Sequence, residues 1–381
     1  MVAQATASVD EKTSRVRAER AASPSAGPGL FANSATGRWV ITAAVLGTGI
    51  AFLDGTVVNA ALPAIAGDLD ADLADLQWVM SGYLLTLGSL LVIGGSLGDL
   101  FGRRRMYVVG LVGFAAASLL CGVSQGIAML IAARCVQGAT AALLVPESMA
   151  IISASFRKED RGRAIGAWSG LGGVATAIGP FLGGWLIDSV SWRLVFLINL
   201  PLVAVTVAIT LRHVPETRDQ HASHRVDVIG GVVLALGLAG VVHSLIEGPS
   251  SGWSGTPLVL GVIGALALVG WVVIEERSSH PMVPLAVFRS RQFSGANAAT
   301  FLVYAAIGAT FFLLVVHLQT DLGYSALGAG AALLPITAML LLFSARAGEL
   351  GQRIGPRAPM TVGPCVIAVG MLLLSGVEAG S

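Results

Sequence analysis

Two charged side chains interrupt apolar stretches of the sequence, and they are the residues best placed to do chemistry. Asp54 lies within the apolar stretch 39–61, and Arg134 lies within the stretch 127–149. A carboxyl group removed from water is stable only when it is paired, hydrated or protonated, so Asp54 is suited to bind and release a proton. A guanidinium keeps its proton, so Arg134 needs a partner or a polar interior. For each residue the alternative is a fixed contact between helices, which for Arg134 would involve Gln137.

A further carboxyl group, that of Glu147, follows Pro146 near the end of the stretch that contains Arg134. Two roles are open to it. It could be a second proton-coupling group, because its surroundings in the sequence are apolar. Alternatively, its side chain could extend to the membrane–water interface, as long charged side chains near helix ends do.

The sequence lacks the residues that several other chemistries need. Neither of its lysines, Lys12 and Lys158, follows a glycine, so the chain contains no Walker A loop and no ATPase domain. It also has no HExxH or CxxC motif for a metal. The formal net charge of +1 gives no basis for a nucleic-acid partner. We therefore predict a protein that is not an enzyme and that needs no metal or cofactor.

The composition indicates that membrane-spanning helices carry these residues. Hydrophobic residues make up 55% of the chain and charged residues only 12%, whereas about a quarter of the residues in a soluble domain are charged. The apolar residues form blocks of about 20, the length at which a helix crosses ~30 Å of hydrocarbon. The predicted fold class is an all-α polytopic membrane protein with about 11 transmembrane helices. The predicted spans are 39–61, 76–97, 106–124, 127–149, 164–187, 193–211, 227–247, 256–274, 294–318, 325–345 and 359–376.

The basic residues define the predicted orientation. With these spans, 21 of the 23 Lys and Arg residues fall on one side of the membrane, and short loops rich in Lys and Arg remain in the cytoplasm. Arg outnumbers Lys by 21 to 2, as in GC-rich bacterial genomes. We therefore predict a multi-pass protein of the bacterial inner membrane with a cytoplasmic N terminus. Residues 1–37 are polar and predict a disordered cytoplasmic tail.

A repeated loop predicts two related helix bundles. Residues 95–104 link the second and third spans, and the similar residues 348–357 link the tenth and eleventh. Internal repeats of this kind are common in polytopic membrane proteins. The predicted domains are an N-terminal six-helix bundle over 38–211, a cytoplasmic linker over 212–226, two additional central spans over 227–275 and an incomplete, three-span C-terminal bundle over 294–381.

Several motifs between residues 38 and 376 resemble those of the major facilitator superfamily. The first repeated loop has the Gly-x-Leu-x-Asp-x-x-Gly-Arg-Arg form of its cytoplasmic signature, and the fourth span carries its Arg-x-x-Gln-Gly motif. Residues 53–63, followed by Gln77, Trp78 and Tyr83, resemble the fourteen-span drug:proton antiporter branch. Residues 179–184, Gly-Pro-Phe-Leu-Gly-Gly, resemble the motif associated with antiporters.

The resemblance implies a two-bundle architecture and a role for each motif. The proton-coupling and substrate residues would be Asp54, Arg134 and Gln137, with Glu147 as the additional candidate. The cytoplasmic gate would consist of Gly95, Asp99, Gly102, Arg103 and Arg104, with Asp99 pairing across the bundle interface in one conformation. The antiporter motif, which would seal against leak, would consist of Gly179, Pro180, Gly183 and Gly184. The structural alternatives are helix packing for the glycines and membrane topology for the arginines.

The predicted function is proton-coupled efflux of small organic compounds or drugs, driven by the proton gradient and without a cofactor. The predicted partners are lipophilic or cationic small molecules and the lipid bilayer. One alternative is an exporter dedicated to one native metabolite or antibiotic. Another is a truncated, partner-dependent or non-transporting remnant, because the fourteen-span branch has three more spans than this sequence predicts.

Overall fold

The predicted all-α fold is confirmed by a computed structural model, which describes residues 29–218, 227–278, 283, 285–336, 338–339, 342–343, 354 and 357–374. These residues form α-helices, one short 3₁₀ helix over Leu285–Arg289 and one isolated bridge, but no β-strand. The α-helices are α1 (Ala35–Leu69), α2 (Leu73–Phe101), α3 (Arg103–Gly122), α4 (Ile127–Ser155), α5 (Lys158–Ser189), α6 (Leu194–His213, interrupted at Ile198), α7 (Val228–Glu247), α8 (Gly255–Arg277), α9 (Arg291–Thr320), α10 (Ala326–Ala332) and α11 (Arg357–Leu374).

Nine helices of the described residues, α1 to α9, are long and apolar enough to cross a membrane. They correspond to the first nine predicted spans. The last two predicted spans overlap α10 and α11, which are shorter apolar helices where the structure describes them. The second copy of the repeated loop, over 348–357, lies largely outside the described residues.

Several helices extend beyond the predicted spans, because polar caps continue them past the hydrocarbon. α1 begins after Ser34, whose hydroxyl oxygen accepts a hydrogen bond from the Gly37 amide at 3.0 Å. Asp72 and Asp75 form a reciprocal capping box at the start of α2. Each cap satisfies amide groups that the first helical turn leaves without a partner. Hydropathy detects only the segment inside the membrane, so it places these helix ends too far inward.

The predicted disordered tail over 1–37 differs from the structure at its C-terminal end. The Leu30 amide donates to the Ser155 carbonyl at 2.8 Å, and Arg157 donates to the Gly29 carbonyl at 2.9 Å. The Arg157 guanidinium also lies 3.9 Å from the centroid of the Phe31 ring. These contacts satisfy the backbone and hold the chain against the turn between α4 and α5 before α1 begins. Residues 1–28 lie outside the described residues.

The first six helices form two apolar cores along α1, which contacts α4, α5 and α6. One core lies towards the Arg-rich loops and includes Val40 and Tyr107. The other lies towards the opposite end and includes Leu62 and Phe196. Asp54 lies on α1 where the two cores meet. Its charge is therefore enclosed by apolar side chains, and only polar contacts with other helices can stabilise it.

The remaining helices contact the first bundle in two places. α7 and α8 form a hairpin that packs on α2. α9 and α10 contact α1 and α5 at the outer end of the molecule, which is the end opposite the Arg-rich loops. There the Gln319 side-chain amide donates to the Ala60 carbonyl at 3.2 Å, and the Leu327 backbone amide donates to the Asp188 carboxylate at 2.8 Å. These hydrogen bonds join the two bundles at the outer end.

Candidate functional site

Asp54 is the centre of a buried polar cluster, called the Asp54 cluster, to which four helices contribute. Its members are Asp54 of α1, Ser118 of α3, Arg134 and Gln137 of α4, and Asn199 of α6, and all five are buried. Asp54 Oδ2 accepts a hydrogen bond from Arg134 Nη1. Asp54 Oδ1 accepts from Gln137 Nε2 and from Asn199 Nδ2, each at 2.9 Å. Ser118 Oγ accepts from the same two amides at 2.8 and 3.3 Å, so it positions both donors.

Arg134 is also bound to α2. Its Nε donates to the Val79 carbonyl at 3.1 Å, and its Nη1 donates to Gln137 Oε1 at 2.6 Å. The guanidinium carbon lies 4.3 Å from the centroid of the Tyr83 ring, within cation–π distance. The Tyr83 hydroxyl in turn donates to the Ala51 carbonyl of α1 at 3.0 Å. The ion pair with Asp54 therefore belongs to a network that ties α1, α2 and α4 together.

Helical periodicity and one helix break explain why these side chains meet. Arg134 and Gln137 are three residues apart on α4, so they lie on one face of that helix. Asn199 is the first helical residue after the interruption of α6 at Ile198. The three predicted members of the cluster on α1 and α4 are in contact with one another.

Sequence reasoning assigned no role to Ser118 or to Asn199. Both are short polar residues in apolar helices, which is a weak signal because such side chains often bond their own backbone. Asn199 Oδ1 has no hydrogen-bond partner among the described residues, whereas its amide nitrogen binds Asp54 and Ser118. The contact with the carboxylate therefore determines how Asn199 is oriented.

The geometry of the cluster suits an ionised Asp54. Its two oxygens accept three hydrogen bonds, one from a guanidinium and two from amides. A carboxylate only accepts hydrogen bonds, whereas a protonated carboxyl group must donate one. A proton on Asp54 would therefore displace a donor and leave Arg134 without its counter-ion, which is costly in a buried site.

Glu147 lies apart from the Asp54 cluster. It is 13 residues beyond Arg134 on α4, which corresponds to about 20 Å along the helix axis. Its side chain is fully buried against Gly98 of α2. Neither carboxyl oxygen has a hydrogen-bond partner among the described residues. Of the two predicted roles of Glu147, burial of the side chain disfavours the interfacial one.

The predicted gate residues form a tight turn between α2 and α3. Asp99 accepts hydrogen bonds from Arg103, the shorter of them at 2.7 Å. Gly102 joins the two helices with a φ of 104°, a conformation that favours glycine. The Arg104 guanidinium donates to the Val214 carbonyl at 3.2 Å. Among the described residues, Asp99 is thus paired within the first bundle, because Arg103 four positions along the chain lies within reach.

Glu216, which sequence reasoning did not single out, caps α3. Its carboxylate accepts hydrogen bonds from the Arg104 and Arg105 backbone amides at 3.1 and 3.2 Å. A carboxylate is favoured there, because the N terminus of a helix carries partial positive charge. Gly95 lies on α2 against Pro146 of α4, where an added Cβ would be 3.4 Å from the proline ring. The gate is therefore in contact with both α4 and the segment after α6.

The predicted antiporter motif lies where α5 meets α1 and α10. Gly179 and Gly183 face α1, and a Cβ on Gly183 would lie 2.9 Å from the Val57 carbonyl oxygen. Gly184 faces α10, where an added Cβ would lie 2.6 Å from Leu327 Cα. Small residues allow helix backbones to approach closely in a membrane. The motif therefore forms part of the contact between the two bundles.

Pro180 lies at the same contact. Its carbonyl oxygen occupies the space that a side chain on Gly330 of α10 would need. Together with the hydrogen bond from the Leu327 amide to Asp188, this contact brings α5 and α10 together at the outer end.

An apolar cavity of about 170 Å³ lies between α9, α11 and the residues after α10. It is lined by Ile307, Thr310, Phe311, Leu314, Ile336, Ile367, Gly370 and Met371. Such a lining can bind a lipophilic molecule by removing apolar surface from water. Among the described residues, no three His, Cys, Asp or Glu side chains lie close enough together to hold a metal ion.

The fold and the site together define a class of protein. Two contacting helix bundles in a membrane, with a polar cluster buried at the centre of one of them, are the architecture of polytopic membrane carriers. A profile of the Major Facilitator Superfamily matches residues 44–379. The chain belongs to this superfamily, which confirms the membership that its motifs predicted.

The curated relatives of this chain include resistance proteins. The tetracenomycin C resistance and export protein of Streptomyces glaucescens is 37% identical over 344 residues, which cover 90% of this chain and 64% of that protein. The multidrug resistance protein Stp of Mycobacterium tuberculosis is 35% identical over 331 residues, which cover 86% and 62%. This chain therefore spans less than two thirds of the length of these relatives.

A solved structure supports the fold. The crystal structure of a mutant of the peptide transporter POT in complex with sulfate superposes with a TM-score of 0.63 over 86% of this chain and 72% of that one. The sequence identity is 14%, so this similarity concerns the fold alone.

Proposed function

We propose that this protein exports small organic compounds, antibiotics among them, across the bacterial inner membrane in exchange for protons. Proteins of its superfamily are transporters and not enzymes. The observation that carries the proposal is the buried Asp54 carboxyl group, which Arg134, Gln137 and Asn199 hold at the centre of the first bundle. The names of the relatives, a resistance and export protein and a multidrug resistance protein, support export.

Asp54 is the proposed proton carrier. When it is ionised, three donors hold it and tie α1 to α4 and α6. A proton that enters from outside neutralises the carboxylate, weakens its bond to Arg134 and loosens these ties. Release of that proton to the cytoplasm restores them. The bundle therefore has two states, one with Asp54 ionised and one with Asp54 protonated, and proton binding selects between them.

The contacts between the bundles support the inward-releasing half of this cycle. α5 and α10 are in contact at the outer end, so the outer side is closed there. In the same structure Asp54 is surrounded by donors that suit its ionised form. An exchanger that has released its proton inward should combine a closed outer end with an ionised carrier.

The proposed substrates are lipophilic or cationic small molecules. The apolar cavity between α9 and α11 supports the lipophilic character, because its lining offers almost no polar group. The cationic character rests on the resemblance to drug:proton antiporters. A cytoplasmic N terminus is proposed from the Arg-rich loops, which lie at the end opposite the closed contact.

Uncoupler-sensitive dye efflux from membrane vesicles that contain the 381-residue chain tests this proposal. We expect efflux to stop when an uncoupler is added, and Asp54→Asn to abolish it, since asparagine keeps the shape of the side chain but cannot carry a proton. The matched control is Asp68→Asn on the same helix. Asp68 forms a partly exposed ion pair with Arg193 at 2.7 Å, and pairs of this kind contribute only ~1 kcal/mol or less.

The outcomes of this experiment are distinct. Normal efflux by Asp54→Asn would exclude Asp54 as the carrier. Efflux that persists with an uncoupler would exclude proton exchange. An inserted chain that exports no dye would favour a partner-dependent or non-transporting protein.

A dedicated antibiotic exporter is the second candidate function. The tetracenomycin C relative supports it, because its name gives a single antibiotic. A panel of chemically unrelated dyes and antibiotics in the same vesicles separates the two candidates. Uncoupler-sensitive efflux of several unrelated compounds supports multidrug export, whereas efflux of one chemical class supports a dedicated exporter.

A further inference from the structure

A second buried carboxyl group, that of Glu147, has surroundings opposite to those of Asp54. Glu147 is 0% exposed, and neither of its oxygens has a hydrogen-bond partner among the described residues. Asp54, by contrast, accepts three hydrogen bonds. A buried carboxylate without donors is unstable, whereas the neutral acid is tolerated. The geometry at Glu147 therefore suits a carboxyl group that carries a proton.

The position of Glu147 connects it to the gate. Its carboxyl group fills a space that exists because residue 98 of α2 is glycine, and a Cβ on Gly98 would overlap both carboxyl oxygens. Gly98 immediately precedes Asp99, whose carboxylate binds Arg103 at 2.7 Å. The Asp99 and Arg103 side chains are 37% and 18% exposed. Protons from the predicted cytoplasmic side can therefore reach the immediate neighbours of Glu147.

Three charged groups on the surrounding elements act on Glu147. They are the carboxylates of Asp99 on α2 and Glu216 after α6, and the guanidinium of Arg103 on α3. While Glu147 is neutral, Arg103 is available to Asp99. Of the two carboxylates, Glu216 lies 3.8 Å from the Arg104 guanidinium, and Asp99 is paired with Arg103. An ionised Glu147 would add a third carboxylate to this group and would compete with Asp99 for Arg103.

We propose that Glu147 is a second proton-binding site that controls the gate turn. The neutral acid keeps the pair between Asp99 and Arg103 intact. When the O–H bond of Glu147 breaks and its proton passes to cytoplasmic water, the carboxylate draws Arg103 towards α4 and loosens the turn between α2 and α3. The inference deepens the proposed function and rests on it for the consequence in transport, whereas proton binding by Glu147 rests on the geometry alone.

Infrared difference spectroscopy of the purified 381-residue chain in lipid tests the site without requiring transport. A protonated carboxyl group has a carbonyl stretching band that a carboxylate lacks, and the spectra are recorded while the pH is raised. We expect a band in the wild-type protein that disappears on titration, that is absent in Glu147→Gln and that persists in Asp54→Asn. Glutamine preserves the shape of the neutral acid, so Glu147→Gln should keep the wild-type thermal unfolding midpoint.

A second variant keeps the test decisive if Glu147→Gln does not fold. Gly98→Ala pushes the carboxyl group out of its space and should shift the band, whereas Gly88→Ala on the same helix has open space around it and should not. The proposal would be overturned if Glu147→Gln left the carbonyl band unchanged. It would also be overturned if Gly98→Ala did not shift that band. A wild-type protein that shows the Glu147 band but exports no dye would contradict the proposed function and not this inference.

Discussion

At the scale of single residues, hydrogen-bond donors distinguish the two buried carboxyl groups of the first bundle. Asp54 has three donors, and Glu147 has none among the described residues. Two acids whose surroundings differ in this way can hold opposite protonation states at one pH. The proposed carrier, which has donors for its ionised form, and the proposed gate acid, which has none among the described residues, can therefore respond to protons at different points of the proposed cycle.

Replacing Asn199 with leucine removes one of the three donors from Asp54. A hydrogen bond to a charged group contributes about 1.5–3 kcal/mol, and 1.4 kcal/mol is a factor of ten in proton affinity. We therefore expect Asn199→Leu to destabilise the ionised carboxylate, because one of its donors is lost. Dye efflux should then need a more alkaline solution on the cytoplasmic side of the vesicle membrane.

Initial efflux rates measured over a range of cytoplasmic-side pH check this prediction. Ser118→Ala is the matched control, because Ser118 binds the amides of Gln137 and Asn199 and does not touch Asp54. Its pH profile should shift by less than that of Asn199→Leu. Identical profiles for Asn199→Leu and the wild type would show that Asn199 does not stabilise the carboxylate.

At the scale of helices, α2 and α4 approach each other through glycines on both sides. Gly138 of α4 lies against the Tyr83 carbonyl of α2, and Gly94 of α2 lies against the Ala142 carbonyl of α4. Side chains at these positions would hold the two backbones apart. The close approach matters for the site, because it brings Arg134 within hydrogen-bonding distance of a carbonyl of α2.

Gly138→Val should therefore separate α2 from α4. Overpacking of a well-packed contact costs about 1–3 kcal/mol, so we expect a lower thermal unfolding midpoint in detergent. Gly88→Val is the matched control, because Gly88 lies on α2 with open space around it. Both variants introduce a β-branched residue into a helix, but only the first meets a neighbouring backbone. Equal midpoints for the two variants would contradict the proposed role of the contact.

At the scale of the whole molecule, the two bundles meet at the outer end through α5 and α10. Gly184 lies at this contact, and an added Cβ there would meet Leu327 Cα at 2.6 Å. Alternating access requires such a contact to form and to break. The contact between α5 and α10 should therefore govern access to Asp54 from outside.

Gly184→Trp should hold the outer end open. Because contacts between side chains keep helix axes ~8–10 Å apart, we expect α5 and α10 to separate by about 2–4 Å. Spin labels at the exposed positions 190 and 324, in a chain whose three cysteines are replaced, report this distance by pulsed electron resonance. Gly173→Trp is the control on α5, because an added Cβ on Gly173 would meet no atom of the described residues within 4 Å. An unchanged distance in Gly184→Trp would show that α10 is not held by this contact.

The sequence alone determined the features that depend on local composition, namely the long helices and the charges within them. Blocks of apolar residues predicted the nine long helices. A segment that crosses a membrane must be apolar along its whole length and must satisfy its own backbone hydrogen bonds. Asp54 and Arg134 were found because a charge in such a block is costly and therefore conspicuous. Helix ends were predicted less well, since caps such as that of Ser34 lie outside the apolar blocks.

The tertiary structure decided which groups meet. Asn199 reaches Asp54, and Ser118 reaches the two amides that bind Asp54, only because α3 and α6 are rotated towards α1. No local pattern encodes that rotation. Glu147 is buried because a glycine on α2 leaves space for it, and no described residue forms a hydrogen bond with its carboxyl group. Residues far apart in the chain surround each carboxyl group, so whether it is ionised or protonated is a property of the packed bundle. Apolar length is a local quantity, but the free energy of a buried charge depends on every donor that folding brings to it.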